Sequence, residues 1–219
     1  MANTLNLFIG LAMGFNLLAL ASSRLPSVIR AAALQGMVLG ILPLLMEHEF
    51  QWMVGLVAVG TIVTKGFVIP HLLRRALRAA NIDREVRPLI GFVPSLLIGA
   101  GATIGAVALG GALPLLPEHA GSLLVPRSLL VPGSFATVVA GFLMLMGRTK
   151  AISQVCGYLI LENGIYLFGL LLINSTPLLV EAGILLDLTV AVFVIGIIMD
   201  RIQKEFDSLD TNKLTTLHE

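Results

Sequence analysis

A single cysteine, Cys156, stands in the 219 residues, which excludes an intramolecular disulfide framework and a thiolate metal cage. Charge is scarce too. Only 12% of the residues are charged, against about 25% in ordinary soluble domains. Since 57% are hydrophobic, the chain cannot fold around one water-soluble core. Fourteen Lys and Arg against thirteen Asp and Glu leave a formal charge of +1, which gives no reason to expect a nucleic-acid partner. No Gly-rich phosphate loop, Cys-x-x-Cys pair, nucleophile elbow or paired-histidine haem arrangement is present. Catalysis by this chain alone is therefore not expected, nor is a cofactor or metal of its own. No period-two alternation marks a β-barrel strand. The first apolar run has no basic segment before Leu5 and no small-x-small cleavage pattern after it, so it reads as a retained membrane span.

What is present is a series of apolar runs. Crossing a hydrocarbon core takes about 20 helical residues. Seven stretches meet that standard: Leu5–Ala21, Val28–Met46, Trp52–Leu73, Leu89–Leu113, Leu129–Met146, Ile152–Ile173 and Leu178–Met199. Backbone amides in lipid must be satisfied within the segment, so each run is predicted to be a helix. The fold class is all-α, a polytopic membrane bundle of about seven transmembrane helices.

Orientation follows from the basic residues. Twelve of the fourteen lie on one side of the alternation: Arg24 and Arg30; Arg74, Arg75, Arg78, Arg84 and Arg87; Arg148 and Lys150; Arg201, Lys204 and Lys213. Arg127 is on the other side and Lys65 is inside a span. Cytoplasmic loops concentrate Lys and Arg, which places the N-terminus outside and the C-terminus in the cytoplasm. The chain then divides into a four-helix region (1–113), an outer loop (114–132), a three-helix region (133–199) and a cytoplasmic tail (200–219).

Small residues at Gly10 and Gly14, and at Gly101 and Gly105, offer faces on which helices can approach closely. A specific dimer face is the alternative use of such a pattern. Pro43, Pro70 and Pro94 are expected to kink or end their helices. Phe50 and Trp52 stand where an interfacial aromatic anchor belongs. A faint repeat relates spans two and three to spans six and seven through Gly36 and Gly157, although the polar residues do not align.

Ionisable groups inside spans are costly and mark proton or ion paths, ion pairs or ligand sites. Glu162 falls near the middle of span six, with Tyr158 and Tyr166 one turn to either side on the same face and Asn163 next to it. A desolvated carboxyl there suits reversible protonation; a protonated Glu used for packing alone is the plainer reading. Asp187 sits near the middle of span seven under the same argument. Glu181 follows the helix-start pattern Ser175, Thr176, Pro177 and gains from the helix dipole. Six residues, roughly 240° of helix, separate Glu181 from Asp187, so span seven alone cannot join them in a wire. Lys65 would have to cover about eight residues of apolar helix, ~12 Å, to reach the cytoplasmic face, too far to snorkel completely. A membrane-buried partner is expected instead, with another subunit as one place for it. His71 reads as an interfacial histidine. Glu47, His48 and Glu49 form an outer cluster with little to recommend a metal.

The run Gly157, Tyr158, Leu159, Ile160, Leu161, Glu162, Asn163, Gly164, Ile165, Tyr166, Leu167, Phe168, Gly169 carries a family resemblance. It is joined by Pro177 to Gly183 with Glu181 among them, by Asp187, and by the tail Glu205, Phe206, Asp207, Ser208, Leu209, Asp210. Here the sequence resembles the E subunit of hydrogenase-4, a membrane subunit of group 4 NiFe hydrogenase and formate hydrogenlyase complexes. The likeness covers most of the chain and is most specific in the C-terminal third. Spans five to seven also look like the small K subunit of bacterial complex I and of multisubunit Na⁺/H⁺ antiporters, in the same orientation.

The resemblance implies proton-transferring carboxylates on the last two helices, with Glu162 in the first role, Asp187 in the second and Glu181 accessory. The second carboxylate is an Asp and the interval from Glu162 is tighter than in the K subunit, so Glu181 and Asp187 both stay open for it. It further implies a bacterial inner-membrane subunit without a redox centre. The NiFe centre and Fe–S clusters would belong to partners: the hydrogenase large and small subunits, antiporter-like subunits, a membrane subunit like H of complex I, and formate dehydrogenase in some assemblies. The alternative is a free-standing small ion or solute transporter, or a scaffold whose carboxyls serve packing only.

Overall fold

An apolar run offers its backbone no partner in lipid except its own next turn, and every run in the described residues is helical. The structure, a computed structural model, describes residues 2–46, 52–79, 88–112 and 129–170, with residue 196. The elements are α1 (Ala2–Ala21), α2 (Leu25–Met46), α3 (Trp52–Val63), a π-helical turn (Thr64–Val68), α4 (Ile69–Ala79), α5 (Phe92–Ala112), α6 (Leu130–Gly147) and α7 (Ala151–Leu170). Among the described residues five helical stretches are long and apolar enough to cross a membrane, with α3, the π turn and α4 acting as one. The sixth, α7, has 20 residues, but Gln154, Glu162 and Asn163 lower its hydropathy. The expected span Leu178–Met199, the tail, the cluster Glu47–His48–Glu49 and loop positions 113–128 lie outside the described residues.

Proline shapes these helices less than expected. Pro43 stands inside α2, which runs on to Met46. Pro94 lies in the first turn of α5 and Pro132 in the first turn of α6, where a missing N–H costs nothing. Pro70 has the larger effect. The turn before it widens, with the Ile69 N–H reaching back five residues to the Thr64 carbonyl. The pyrrolidine ring clashes with the carbonyl one α-helical turn earlier, and the wider turn relieves that clash without ending the helix.

Among the described residues the close packing is not at Gly10, Gly14, Gly101 and Gly105. A Cβ added at any of these four meets no described atom within 4 Å. The close approaches fall at other glycines. A Cβ on Gly141 would lie 2.5 Å from the Leu161 Cα, and one on Gly157 2.8 Å from the Leu145 N. These join α6 to α7, the most extensive helix contact in the fold. Among the described helices, α2 packs on α1, α3, α4 and α7 and so occupies the centre, whereas α5 touches only α1 and α6 closely.

The apolar interior is split in two. One cluster holds Ala19, Leu20, Leu25, Ile29, Ala32, Leu73, Leu77, Met144, Ile152 and Ile160. The other holds Ile9, Met13, Val38, Leu42, Ala106, Leu130, Ala136 and Leu167. The first lies at the end where Arg24 and Arg30, Arg74 to Arg78, and Arg148 and Lys150 gather, so the basic segments share one end of the bundle. Arg148 stands in the connection between α6 and α7, where its sequence position puts it, yet it is only 2% exposed. Its Nη2 donates to the Leu20 carbonyl at 2.6 Å, and the guanidinium lies 4.3 Å from the Phe92 ring. A cation at the C-terminal turn of α1 satisfies an orphan carbonyl and the helix dipole together.

Candidate functional site: a polar layer between two apolar cores

Each central helix carries one or two polar residues between its contributions to the two clusters. On α1, Asn16 falls between Met13 and Ala19; on α2, Gln35 falls between Ala32 and Val38. On α6, Thr137 lies between Ala136 and Ala140, and on α7, Glu162 and Asn163 lie between Ile160 and Leu167. The π turn adds Lys65. All six are buried, and helix packing brings them to one level.

The centre of the layer is an ion pair. Lys65 Nζ stands 2.7 Å from Glu162 Oε1, with the two side chains 6% and 3% exposed. The partner expected for Lys65 is therefore found in the same chain. Gly36 makes the room, since a Cβ there would stand 2.7 Å from the Lys65 Cβ. Lys65 Nζ also donates to Asn163 Oδ1 at 3.0 Å and lies 5.5 Å from the centre of the Tyr166 ring.

From Asn163 the hydrogen bonds continue in one direction. Asn163 Nδ2 donates to Gln35 Oε1 at 3.1 Å. Gln35 Nε2 donates to Asn16 Oδ1 at 2.7 Å and to the Ala12 carbonyl at 3.2 Å. Asn16 Nδ2 donates to Thr137 Oγ1 at 2.9 Å, and that hydroxyl donates to the Gly133 carbonyl at 2.6 Å. An ammonium has donors only, so Asn163 must turn its oxygen toward Lys65. Its amide nitrogen then faces Gln35, and the same constraint passes to Asn16. The charge on Lys65 thus orients every amide in the row. Carboxylate and ammonium can exchange a proton, whereas amides in this row serve to orient and to hold helices together.

Of the residues singled out from the sequence, Glu162, Lys65 and Asn163 are brought into direct contact, with Tyr166 beside them. Tyr158 packs against the apolar cluster at the basic end. Glu181 and Asp187 lie outside the described residues. Thr137 was not anticipated, since a lone hydroxyl in an apolar run can bond its own helix backbone; nor were the neutral amides Asn16 and Gln35, which carry no charge to mark them. Their signal was an amide isolated in an apolar run, since a buried amide without partners costs several kcal/mol and must find one. Among the described residues no group of three or more His, Cys, Asp or Glu could hold a metal ion.

Hydrogenase-4 component E of Escherichia coli K12 is 30% identical over 156 residues, which cover 71% of this chain and 69% of that protein. The chain belongs to the hydrogenase-4 component E family. Uncharacterized protein Rv0085 of Mycobacterium tuberculosis is 36% identical over 198 residues, covering 89% of this chain and 87% of that one. No protein-family model matches the chain. No solved structure matches it. With its apolar helices, this member of the component E family is a membrane protein.

Gln35 joins the two halves of the polar row, so Gln35→Leu should leave the Asn163 amide and the Asn16 carbonyl without this partner. Each such buried group costs about 1–3 kcal/mol. Chemical unfolding in detergent should show a loss in that range or above it, and Gln35→Glu should not restore stability. A loss under about 0.5 kcal/mol would mean that the row contributes nothing to holding α1, α2 and α7 together.

Proposed function

We propose that this chain is the membrane subunit of a complex I-like NiFe hydrogenase assembly and handles protons at mid-depth through the Lys65–Glu162 pair. The observation that carries this reading is the buried pair itself. Ionisable groups kept inside a membrane bundle are expensive, and by default they mark a functional site. A carboxylate and an ammonium in contact can store a proton between them, and a change in either one is felt along the amide row. Electron transfer would take place in partner subunits that hold the NiFe centre and Fe–S clusters. Antiporter-like subunits and one like H of complex I would lie alongside in the bilayer. Asp187, with Glu181 accessory, is proposed as the second carboxylate. The basic end, with its exposed Arg24, Arg30, Arg74 and Arg78, is proposed to face the cytoplasm by the positive-inside preference, with the N-terminus outside.

The pairing of Lys65 within the chain withdraws one argument for an obligatory partner, and family membership now supports that part of the reading. A free-standing transporter would hold its substrate site in one chain, often in broken helices from repeated halves. A scaffold would keep the pair for packing alone. The coupling experiment separates these. In the assembled complex, Glu162→Gln with Lys65→Gln removes both charges and keeps neutral hydrogen-bonding groups in place. Hydrogen-linked proton movement across vesicles should fall about a hundredfold or more, the low end of what a positioned proton-transfer group contributes, while co-purification with hydrogenase subunits persists. Normal proton movement in an assembled double variant would leave the scaffold reading standing. Ion flux from the purified chain alone would favour the transporter.

A further inference from the structure

The helix formed by α3, the π turn and α4 ends in exposed cations, and its length sets their depth. From Trp52, 68% exposed, to Arg74 it runs about 33 Å at 1.5 Å per residue, just over a ~30 Å hydrocarbon core. With Trp52 as the aromatic anchor of one interface, Arg74 stands at the headgroup level of the other. Close contacts show how α2 lies beside this helix. A Cβ on Gly36 would meet Lys65, one on Gly40 would meet Ile62, and one on Gly66 would meet Met37. From Gly36 to Gly40 the facing numbers fall, so the helices are antiparallel. In that register Arg30 is level with Leu72, about 3 Å from the level of Arg74.

The contact of Met37 with Gly66 also gives the side. Arg30 lies two turns from Met37, on the same flank of α2. Arg74 follows Gly66 and Pro70 in four-residue steps along one stripe of α4. Both arginines, each exposed, therefore flank the same side of the α2–α4 seam. Packed helices stand about 8–10 Å apart, so one phosphate can take a guanidinium from each wall. Arg78 Nε donates to the Arg74 carbonyl at 3.4 Å, which brings a third guanidinium to that turn. Toward mid-depth the same flanks become apolar, with Leu34 45% and Phe67 62% exposed. Among the described residues the one carboxylate is Glu162, and it is paired with Lys65. No described acid balances these three cations.

We infer that this side of the α2–α4 seam binds one anionic phospholipid, its phosphate between Arg30 and Arg74 and its acyl chains over Leu34 and Phe67. Guanidinium groups pair with phosphate through two hydrogen bonds, and basic clusters at the end of a membrane span attract anionic headgroups. The apolar flank decides between occupants. A free phosphate leaves Leu34 and Phe67 uncovered, and an acidic protein segment lying on the membrane surface does not reach them. A lipid matches both levels at once. It also clasps α2 to the helix that carries Lys65, on the flank where Met37 meets Gly66. The site holds whether or not Lys65 and Glu162 move protons.

Native mass spectrometry of the full chain in a neutral detergent tests this by titration with phosphatidylglycerol, or with phosphatidylcholine of the same acyl chains. One phosphatidylglycerol should be retained per chain, with phosphatidylcholine at least about tenfold weaker. Each arginine near the membrane surface contributes about fivefold, so Arg30→Gln with Arg74→Gln should weaken phosphatidylglycerol about thirtyfold. Arg24→Gln with Arg75→Gln removes two charges that lie off the seam, Arg24 before α2 and Arg75 about 100° round α4 from Arg74. That control should change the affinity by less than about threefold. All four side chains are exposed, so neither variant disturbs the core. Equal losses in the two double variants, or equal binding of the two lipids, would show general surface attraction and overturn the site. Competition by glycerol phosphate at the concentration of the lipid would overturn the lipid in favour of a free phosphate. Failure to retain phosphatidylglycerol at saturating addition overturns the proposal too; loss of co-purifying hydrogenase subunits from the Arg30 and Arg74 variant would then assign the surface to a protein.

Discussion

Glu162→Ala should cost the folded chain about 3–5 kcal/mol, the range for removing one member of a buried ion pair. The loss does not come from a strong attraction. Desolvating two charges offsets most of what their contact gains, so the pair adds little to stability as a whole. The damage comes from leaving the Lys65 ammonium, 6% exposed, in an apolar interior without its counter-charge. Lys65→Met alone should cost a similar amount by stranding the carboxylate. The double variant Lys65→Met with Glu162→Leu replaces both charges by apolar groups of similar size and should recover most of the loss. Reversible unfolding of the wild type, Glu162→Leu, Lys65→Met and the double variant in mixed micelles gives the coupling energy directly. Additive losses in the double variant would show that the two charges act independently, and the central contact of the site would then be wrong.

The sequence located the helices better than their uses. Six of the seven expected spans coincide with described helices to within a few residues at most ends, because an apolar run can satisfy its amides in no other way. The largest departure is the third, which continues past Leu73 to Ala79. Arg74, Arg75 and Arg78 are exposed and good helix formers, so the helix outlasts the apolar stretch that revealed it. Glu162 and Lys65 were both legible as costly buried charges. Their pairing was not, because helix order in the bundle decides which distant residues meet. The burial of Arg148 was hidden for a related reason. A cation between two apolar runs reads as a loop residue, yet it folds inward to end α1. The described glycine contacts were the least legible. Small residues four apart show where helices can approach, while among the described residues the close approaches to backbone run through Gly141 facing Leu161, with Gly157 and Gly164 to either side, a spacing of two helical turns.

That glycine contact supports the second large expected effect. A methyl group on Gly141 would lie 2.5 Å from the Leu161 Cα and Cβ, and one on Gly164 would lie 2.6 Å from the Val138 N. The opposing atoms are largely backbone, so no side chain can swing aside and α6 and α7 must move apart. Overpacking costs about 1–3 kcal/mol where side chains can adjust; here, where they cannot, Gly141→Ala should reach the top of that range or exceed it. Alanine is otherwise better than glycine in a helix by about 1 kcal/mol, so the sign of the change isolates the contact. Gly101→Ala and Gly105→Ala, whose added Cβ meets no described atom within 4 Å, should be neutral or stabilising. The consequence extends to the site. Leu161 precedes Glu162, and Thr137 lies one turn from Gly141 on α6, so separating the helices pulls at both ends of the polar row. Thermal unfolding in detergent should therefore order the variants with Gly141→Ala and Gly164→Ala far below Gly101→Ala and Gly105→Ala. Equal melting temperatures for Gly141→Ala and Gly105→Ala would show that α6 and α7 do not meet as closely as this packing requires, and the placement of Glu162 against Lys65 would lose its support.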